Sequence, residues 1–147
     1  MTIEFLSQAW ADAAKEAFNA EPDAEYRAGK LDLYWDWIEV AGRGFEGSLA
    51  LGSRDDGRFV LLRFERGTCT QGRTSDGLPE EATFALTGTL ADWAAVAGGY
   101  NANRAVMYRK LRLDQGEVFA FFDRVYFFTE GLAAVAKIPT AFPQPVG

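Results

Sequence analysis

The stretch EVFAFFDRVYFF, residues 117–128, decides how the rest of the chain can be arranged. Six of the ten residues from Phe119 to Phe128 are aromatic, and only Asp123 and Arg124 among them carry a charge. Arranged as a helix, the stretch is apolar on nearly every side, and a helix of that kind is buried on more than one face. The sequence therefore predicts that this stretch is either wrapped by the core or lines an apolar cavity.

Length and charge limit the classes of protein to which the chain can belong. Its 147 residues are the size of one domain, and no apolar run approaches the length of about 20 residues that a membrane-spanning helix needs. Asp and Glu outnumber Lys and Arg by 21 to 15, which disfavours a surface for nucleic-acid phosphates. The N-terminal residues lack the basic and apolar pattern of a secretory signal. We therefore expect a cytoplasmic protein that binds no nucleic acid.

The residue types available exclude most catalytic and metal chemistry. The chain has no histidine, which removes the commonest general base and the histidine-dependent nucleophile systems and metal sites. Its single cysteine, Cys69, can form no internal disulfide and has no evident base or cation to activate a thiolate. No glycine-rich phosphate loop is present. We therefore predict no catalytic residue, no metal site and no cofactor.

Two acidic features could nevertheless serve a reaction, and each also has a structural interpretation. Asp36 lies between Trp35 and Trp37, and apolar neighbours could raise the pKa of its carboxyl toward that of a general base. The same side chain could instead face water or pair with an arginine across a sheet. Asp55 and Asp56 are adjacent carboxylates that a tight turn would leave solvated. An enzyme that uses Asp36 as its base is kept as an alternative.

Capping residues and the helical spacing of apolar residues predict four helices besides the aromatic stretch. They are 8–19 after Ser7, 90–97 after Thr89, a short helix after Asn101, and 132–137. Thr89 and Asp92 have the spacing of a capping box, in which a hydroxyl and an acid three residues later satisfy two free backbone N–H groups. Thr129 and Gly131 are expected to interrupt the chain before the last helix.

Alternating apolar residues and turn residues predict a run of strands. They cover 33–40, 48–51, 58–65, 69–74, 82–87 and 110–114. Asp56-Gly57 is a strong hairpin signal between the second and third of these strands, and the polar strand 69–74 is expected at a sheet edge. Residues 23–32 are expected to form a loop or a frayed turn. An order of helix, hairpin-linked strands and then mostly helix predicts an α+β fold with helices on one face of a largely antiparallel sheet.

The apolar residues exceed what such a fold needs to fill its core. Trp10, Trp93, Phe84 and Leu86 add to the aromatic stretch, and pockets for apolar ligands are lined mainly by side chains of this kind. A modest basic run is either a solvated face or a rim that meets an anionic headgroup or, transiently, a membrane surface. It consists of Arg104, Arg109, Lys110 and Arg112.

Several motifs from Ala82 onward occur in a recognisable order. They are Ala82-Thr83-Phe84-Ala85-Leu86-Thr87-Gly88, then Asp92-Trp93, then Gly98-Gly99-Tyr100-Asn101-Ala102, and then Lys110-Leu111-Arg112-Leu113 with Gly116. They resemble the sterol carrier protein type-two family, whose pattern is A-D-x-T-L-T-G, an acid and an aromatic residue opening a helix, G-K-[LM]-[DN]-P, and G-K-L-K-[IL]-x-G before an apolar helix. The chain departs from this pattern at Gly99, Ala102 and Arg109, and the helix after Gly116 carries phenylalanine where the family more often has leucine or methionine.

The resemblance implies a single five-stranded, mostly antiparallel sheet with helices covering one face and an apolar tunnel between them. It implies one domain over residues 1–138, followed by a proline-rich tail over 139–147. The implied activity is the binding or transfer of a lipid such as a sterol, a fatty acid or an acyl-coenzyme A, without catalysis. Carried over by position, the residues expected to bind the ligand are Phe84, Leu86, Trp93, Val96, Val106, Met107, Val118, Phe121, Phe122 and Val125.

Three functions therefore stay open at the level of sequence. The first is a non-enzymatic protein that binds a lipid or another long apolar molecule in an internal tunnel. The second is a small α+β enzyme that acts on an apolar substrate with Asp36 as its base. The third is an interaction or accessory domain that uses the aromatic helix 117–128 to dock a partner or a second copy.

Overall fold

The computed structural model describes residues 2–143, which form seven helices, a five-stranded sheet and one short strand pair. In chain order the elements are β1 (Ile3–Glu4), α1 (Gln8–Asn19), α2 (Ala24–Ala28), α3 (Asp32–Arg43), β2 (Gly47–Ser53), β3 (Phe59–Glu65), β4 (Thr68–Ser75), β5 (Phe84–Gly88), α4 (Leu90–Ala97), α5 (Ala102–Met107), β6 (Arg112–Gln115), α6 (Val118–Phe122), α7 (Val125–Val135) and β7 (Thr140–Ala141).

The five-stranded sheet has the order β4-β3-β2-β5-β6. The pairs β2–β3, β3–β4 and β5–β6 are antiparallel, and the pair β2–β5 is parallel. The turn between β2 and β3 contains Gly57, which has a φ of 71° that a glycine adopts without strain. The predicted α+β class and the mostly antiparallel five-stranded sheet are thus confirmed. The polar strand predicted over 69–74 corresponds to β4, at one edge.

Residues 33–40, predicted as a strand, belong instead to the helix α3. The prediction was wrong because aromatic and β-branched content was given more weight than helical spacing. Trp35 and Gly42 lie seven residues apart, which places them two turns apart on one face of a helix, and both are buried. Leu33 and Trp37 lie on other faces and are 54% and 63% exposed. A helix with apolar residues on both its buried and its exposed sides resembles a strand in sequence.

A short helix, α2, occupies part of the segment that was expected to be a loop. Its N-cap is Asp23, whose carboxylate accepts a hydrogen bond of 2.8 Å from the backbone N–H of Tyr26. None of its residues is buried. The prediction of a loop or a frayed turn over 23–32 was therefore wrong in part, and the missed signal is the capping aspartate that precedes the helix.

The aromatic stretch forms two helices, α6 and α7, which are separated at Asp123 and Arg124. The helix α7 continues through Thr129 and Gly131 to Val135, so the predicted interruption at those two residues was wrong. The ring of Phe18 fills the space that a side chain at 131 would take, so glycine fits this helical position where a larger residue would clash. Among residues 2–143, no helix, α7 included, is long and apolar enough to cross a membrane.

The centre of the core is a cluster of phenylalanine rings from the sheet and the aromatic stretch. Phe121 and Phe128 are fully buried, and their rings stack with a centroid distance of 5.0 Å and an angle of 2° between planes. Phe45 and Phe84 meet Phe128 edge-on at 5.2 Å and 5.5 Å. Part of the aromatic stretch is therefore ordinary core.

The segment expected to be a tail returns to the body of the protein over the residues that the structure describes. β7 pairs in parallel with β1, and the ring of Phe142 lies 4.8 Å from that of Phe5. The indole N–H of Trp10 donates a hydrogen bond of 3.2 Å to the hydroxyl of Thr140. The rest of the expected tail, residues 144–147, lies outside the described residues.

Candidate functional site

A groove of about 610 Å³ opens between the C-terminal part of α1, the helices α2 and α3, and α7. We call it the helical groove. Its apolar lining includes Phe18, Trp35, Ile38, Phe127, Gly131 and Ala134. Its polar lining includes Asn19, Glu21, Asp23, Arg27, Glu39, Glu130 and Lys137. A concave apolar surface with a few polar groups is the usual form of a small-molecule site.

Two sets of contacts position the apolar lining. On one side its rings pack against the core, and on the other side Trp35 is held by residues of α2 and α3. Phe18 and Phe127 each meet the buried ring of Phe64 nearly edge-on, at 5.3 Å and 5.9 Å. Trp35 is fixed by a hydrogen bond of 2.9 Å from its indole N–H to the carbonyl of Arg27, and it packs against Tyr34 at 5.1 Å. The groove is thus bounded by core rings below and by Trp35 above.

A polar cluster, which we call the Glu130 cluster, joins α7 to the helices above the groove. The Glu130 carboxylate accepts hydrogen bonds from the Tyr26 hydroxyl (2.8 Å), the Lys30 ammonium (2.7 Å) and the Tyr34 hydroxyl (2.5 Å). The Glu130 side chain is only 14% exposed. The cluster also borders a second, smaller cavity of about 360 Å³ next to Asn103 and Arg104.

The ionisation of the cluster follows from burial and hydrogen bonding. Burial raises the pKa of Glu130, but the hydrogen bonds from Lys30, Tyr34 and Tyr26 outweigh it, so the pKa lies below its ordinary value. Burial and the hydrogen bond to Glu130 raise the pKa of Tyr34. At neutral pH the carboxylate is therefore charged and the tyrosines are neutral donors. Glu130 acts here as a fixed acceptor that holds α2 and α3 to α7.

The Glu130 cluster should make the stability of the protein depend on pH in the acid range. Because the pKa of Glu130 in the folded protein lies below its ordinary value of 4.5, the carboxylate stabilises the fold above pH 4.5. That contribution is lost as the pH falls through the folded-state pKa. We expect the wild type to unfold at a higher urea concentration than Glu130→Gln at neutral pH, and the difference to shrink at about pH 3. An equal difference at both pH values would contradict the assignment.

A second attachment joins the C-terminal end of α3 to the break between α6 and α7. The Arg124 guanidinium donates hydrogen bonds of 3.0 Å to the carbonyls of Ala41 and Gly44. Gly42 lies so close to Phe127 that a Cβ at position 42 would come within 2.8 Å of the Phe127 ring. The helices α2 and α3 are therefore held to α7 at the Glu130 cluster, and the C-terminal end of α3 is held by Arg124.

The ten residues predicted to bind a ligand divide into a buried and an exposed group. Seven are in the core, and Phe84, for example, lies 5.4 Å from Phe121. The other three, Met107, Val118 and Phe122, are exposed by 44%, 52% and 39%. None of the ten lines the helical groove or the smaller cavity beside the Glu130 cluster. A role for them in binding stays a prediction.

The acids considered for catalysis have different surroundings. Asp36 is exposed on α3 and lines neither of these two cavities. Asp55 accepts a hydrogen bond of 2.5 Å from the backbone N–H of Leu90 at the start of α4, which is a structural role. Burial raises the pKa of the Cys69 thiol to about 11, so Cys69 is protonated at neutral pH. Within residues 2–143 no group of three or more acids and cysteines is placed to hold a metal ion.

Sequence reasoning missed Glu130 and its three partners, although one signal for Glu130 exists. Glu130 is the only charged residue in the otherwise apolar helix α7. Tyr26, Lys30 and Tyr34 recur at intervals of four but do not share one helix, because Lys30 lies between α2 and α3. A single acid in an apolar helix predicts a buried hydrogen-bonded partner, because an unpaired buried charge is costly.

Comparisons with known proteins place this architecture among solved structures. No protein-family model matches the chain, and no curated protein sequence matches it significantly. A crystal structure of sterol carrier protein 2 superposes with a TM-score of 0.71 at 24% identity, over 92% of this chain and 99% of the other. The solution structure of a conserved hypothetical protein from Thermus thermophilus, described as possibly a sterol carrier protein, superposes with a TM-score of 0.69 at 26% identity, over 99% and 97% of the two chains. The resemblance seen in the sequence is thereby confirmed at the level of the fold, because the chain has a fold like that of sterol carrier protein 2.

Proposed function

We propose that the protein binds a lipid or another long apolar molecule, without catalysing its conversion, and that the ligand lies in the helical groove. The observation that carries this proposal is the groove itself, a cleft between helices whose lining combines apolar side chains with polar groups. The sterol carrier protein 2 fold supports the same ligand class, which includes sterols, fatty acids and acyl-coenzyme A. Transfer of the ligand between donors and acceptors would follow from reversible binding.

The size of the groove suits a single-chain lipid. Its volume of about 610 Å³ lies within the range of roughly 300–1,000 Å³ that is typical of ligand sites. Burying a methylene group contributes about 0.8 kcal/mol, so a lipid chain that buries about 15 methylene groups gains about 12 kcal/mol. Association costs at least about 4 kcal/mol, which leaves at most about 8 kcal/mol and a dissociation constant no tighter than the micromolar range.

The ends of the groove can accommodate a polar headgroup. Lys137 has its ammonium 5.6 Å from the ring of Tyr26, and it forms no ion pair with the residues of 2–143. Arg27 is paired with Glu21 at 3.7 Å on the exposed side of the groove. A carboxylate or phosphate headgroup beside Lys137 would therefore meet a cation that is not already neutralised.

The interior between sheet and helices is the other position for a ligand. It is the tunnel implied by the family resemblance, and the ten residues predicted from sequence would line it. A ligand among the core rings would displace side chains that are packed against one another, because Phe121 and Phe128 are both fully buried and stack there. The groove needs no such rearrangement of the core, and for that reason we favour it.

We expect the purified protein to carry, or to take up, one long-chain lipid per molecule. Native mass spectrometry should detect a bound lipid, and titration with a fluorescent fatty acid should saturate at one equivalent with a micromolar dissociation constant. A protein that is empty by mass spectrometry and does not respond to the titration would refute lipid binding.

The interaction-domain alternative is favoured by one observation, the exposed part of the aromatic stretch. Phe119 is 79% exposed and Tyr126 is 48% exposed, so part of this surface is free to contact a second copy. Light scattering over a range of protein concentrations separates the two functions. A mass that stays that of one chain at all concentrations contradicts self-association.

A further inference from the structure

Residues 21–44, which include α2 and α3, form a segment with little core of its own. We call it the lid segment. Trp35 and Gly42 are its only buried residues, whereas α7 buries six. Segments that bury few apolar side chains open with a lower free energy than the rest of a protein. The lid segment therefore lies at the low-stability end of this fold.

Two side chains of the body make the hydrogen bonds that hold the lid segment. Apart from the chain junction at Phe45, and within residues 2–143, all of them involve either Glu130 or Arg124. No strand of the sheet pairs with the segment. Loss of the hydrogen bonds to these two side chains would thus release the segment without breaking any backbone pairing of the sheet.

The same segment forms one wall of the helical groove. Trp35 and Ile38 of α3 line the groove from one side, and Phe127 and Ala134 of α7 line it from the other. Movement of α3 away from α7 would widen the groove while the rings below it keep their packing. Gly44 at the end of the segment is the C-cap of α3, an element-terminal position of the kind at which backbone rotation is absorbed.

We propose that residues 21–44 are a lid that opens to admit the ligand to the helical groove, and that Glu130 and Arg124 form the latch that holds this lid closed. The part that concerns ligand entry rests on the proposed function. The opening itself does not, because it follows from the contacts of the segment. The Glu130 cluster thus regulates access to the groove.

Hydrogen exchange measured by mass spectrometry tests the opening. In Glu130→Ala, amides of residues 21–44 should exchange at least about tenfold faster than in the wild type, while those of β2, β3 and β5 stay unchanged. The matched control is Asp36→Ala, which removes one carboxylate from the exposed side of the same segment and should leave exchange unchanged. Tyr34→Phe removes a single donor from the cluster and should give an intermediate increase, so the test stands even if Glu130→Ala folds poorly.

Uptake of a fluorescent fatty acid in a stopped-flow instrument tests the link to binding. Both the association and the dissociation rate should rise in Glu130→Ala and Tyr34→Phe, and neither should change in Asp36→Ala.

Unchanged exchange in residues 21–44 of both cluster variants overturns the lid, as does faster exchange spread evenly over the whole chain. If the wild type binds no fatty acid, the proposed function fails and the exchange measurement still decides the lid. If it binds but the cluster variants keep wild-type rates, the lid does not control entry.

Discussion

Replacing Phe128 by alanine should lower the free energy of unfolding by about 3–5 kcal/mol. Phe128 is fully buried, stacks on Phe121 at 5.0 Å and meets Phe45 at 5.2 Å. Removing the ring leaves a cavity among side chains that cannot collapse into it, because they are already fixed by one another. Urea unfolding followed by circular dichroism measures the loss, and the dependence on urea concentration should stay the same.

Phe119→Ala is the matched control, since it removes the same ring from the same aromatic stretch. Phe119 is 79% exposed, so its replacement should change the free energy of unfolding by less than about 0.5 kcal/mol. The two variants together test whether the buried part of the stretch is packed. Equal and small losses would mean that Phe128 borders an open interior tunnel, and the core described above would then be wrong.

Replacing Ala134 by tryptophan should weaken the binding of a fluorescent fatty acid by at least about tenfold, or about 1.4 kcal/mol. Ala134 lines the helical groove from α7, and an indole at this position would occupy the space that the ligand needs. Titration of the variant against the wild type gives the ratio of dissociation constants. Thermal unfolding of both proteins shows whether the substitution disturbs the fold.

Leu78→Trp provides the control for this variant, because it adds a large side chain away from the groove. Leu78 is 41% exposed and lies in the connection between β4 and β5. Its replacement should leave the dissociation constant unchanged. If Ala134→Trp binds as tightly as the wild type and as Leu78→Trp, the ligand does not lie in the groove.

The sequence predicted best those features that depend on neighbouring residues. Ser7 accepts a hydrogen bond of 3.1 Å from the backbone N–H of Trp10, as its position before the first helix implied. Thr89 and Asp92 form both hydrogen bonds of the capping box. Local signals of this kind need no information about the rest of the chain, and they placed most of the strands and three of the helices.

The sequence predicted less well the features that depend on distant parts of the chain. The helix α3 packs on α7 through Gly42, which lies against the ring of Phe127, and nothing local distinguishes residues 33–40 from a strand that packs on a sheet. The break between α6 and α7 likewise depends on Arg124, whose partners Ala41 and Gly44 lie about 80 residues earlier. Such partners become known only from the structure.

The candidate site shows the same division. The family resemblance led to the fold and to a ligand class, and it placed the ligand among core residues such as Phe84 and Trp93. The groove instead depends on Trp35, which was assigned to a strand, and on Glu130, whose three partners are at least 96 residues away in sequence. Because α3 was not recognised as a helix, neither the groove nor the lid segment could be predicted.

Quenching of tryptophan fluorescence by a spin-labelled fatty acid tests most directly whether the ligand lies in the helical groove. Trp35 lines the groove, whereas Trp93 is buried in the interior with its indole N–H bonded to the carbonyl of Gly52 at 2.9 Å. Binding in the groove predicts that quenching is lost in Trp35→Phe and kept in Trp93→Phe. Quenching that is kept in Trp35→Phe and lost in Trp93→Phe would place the ligand in the interior and contradict the account.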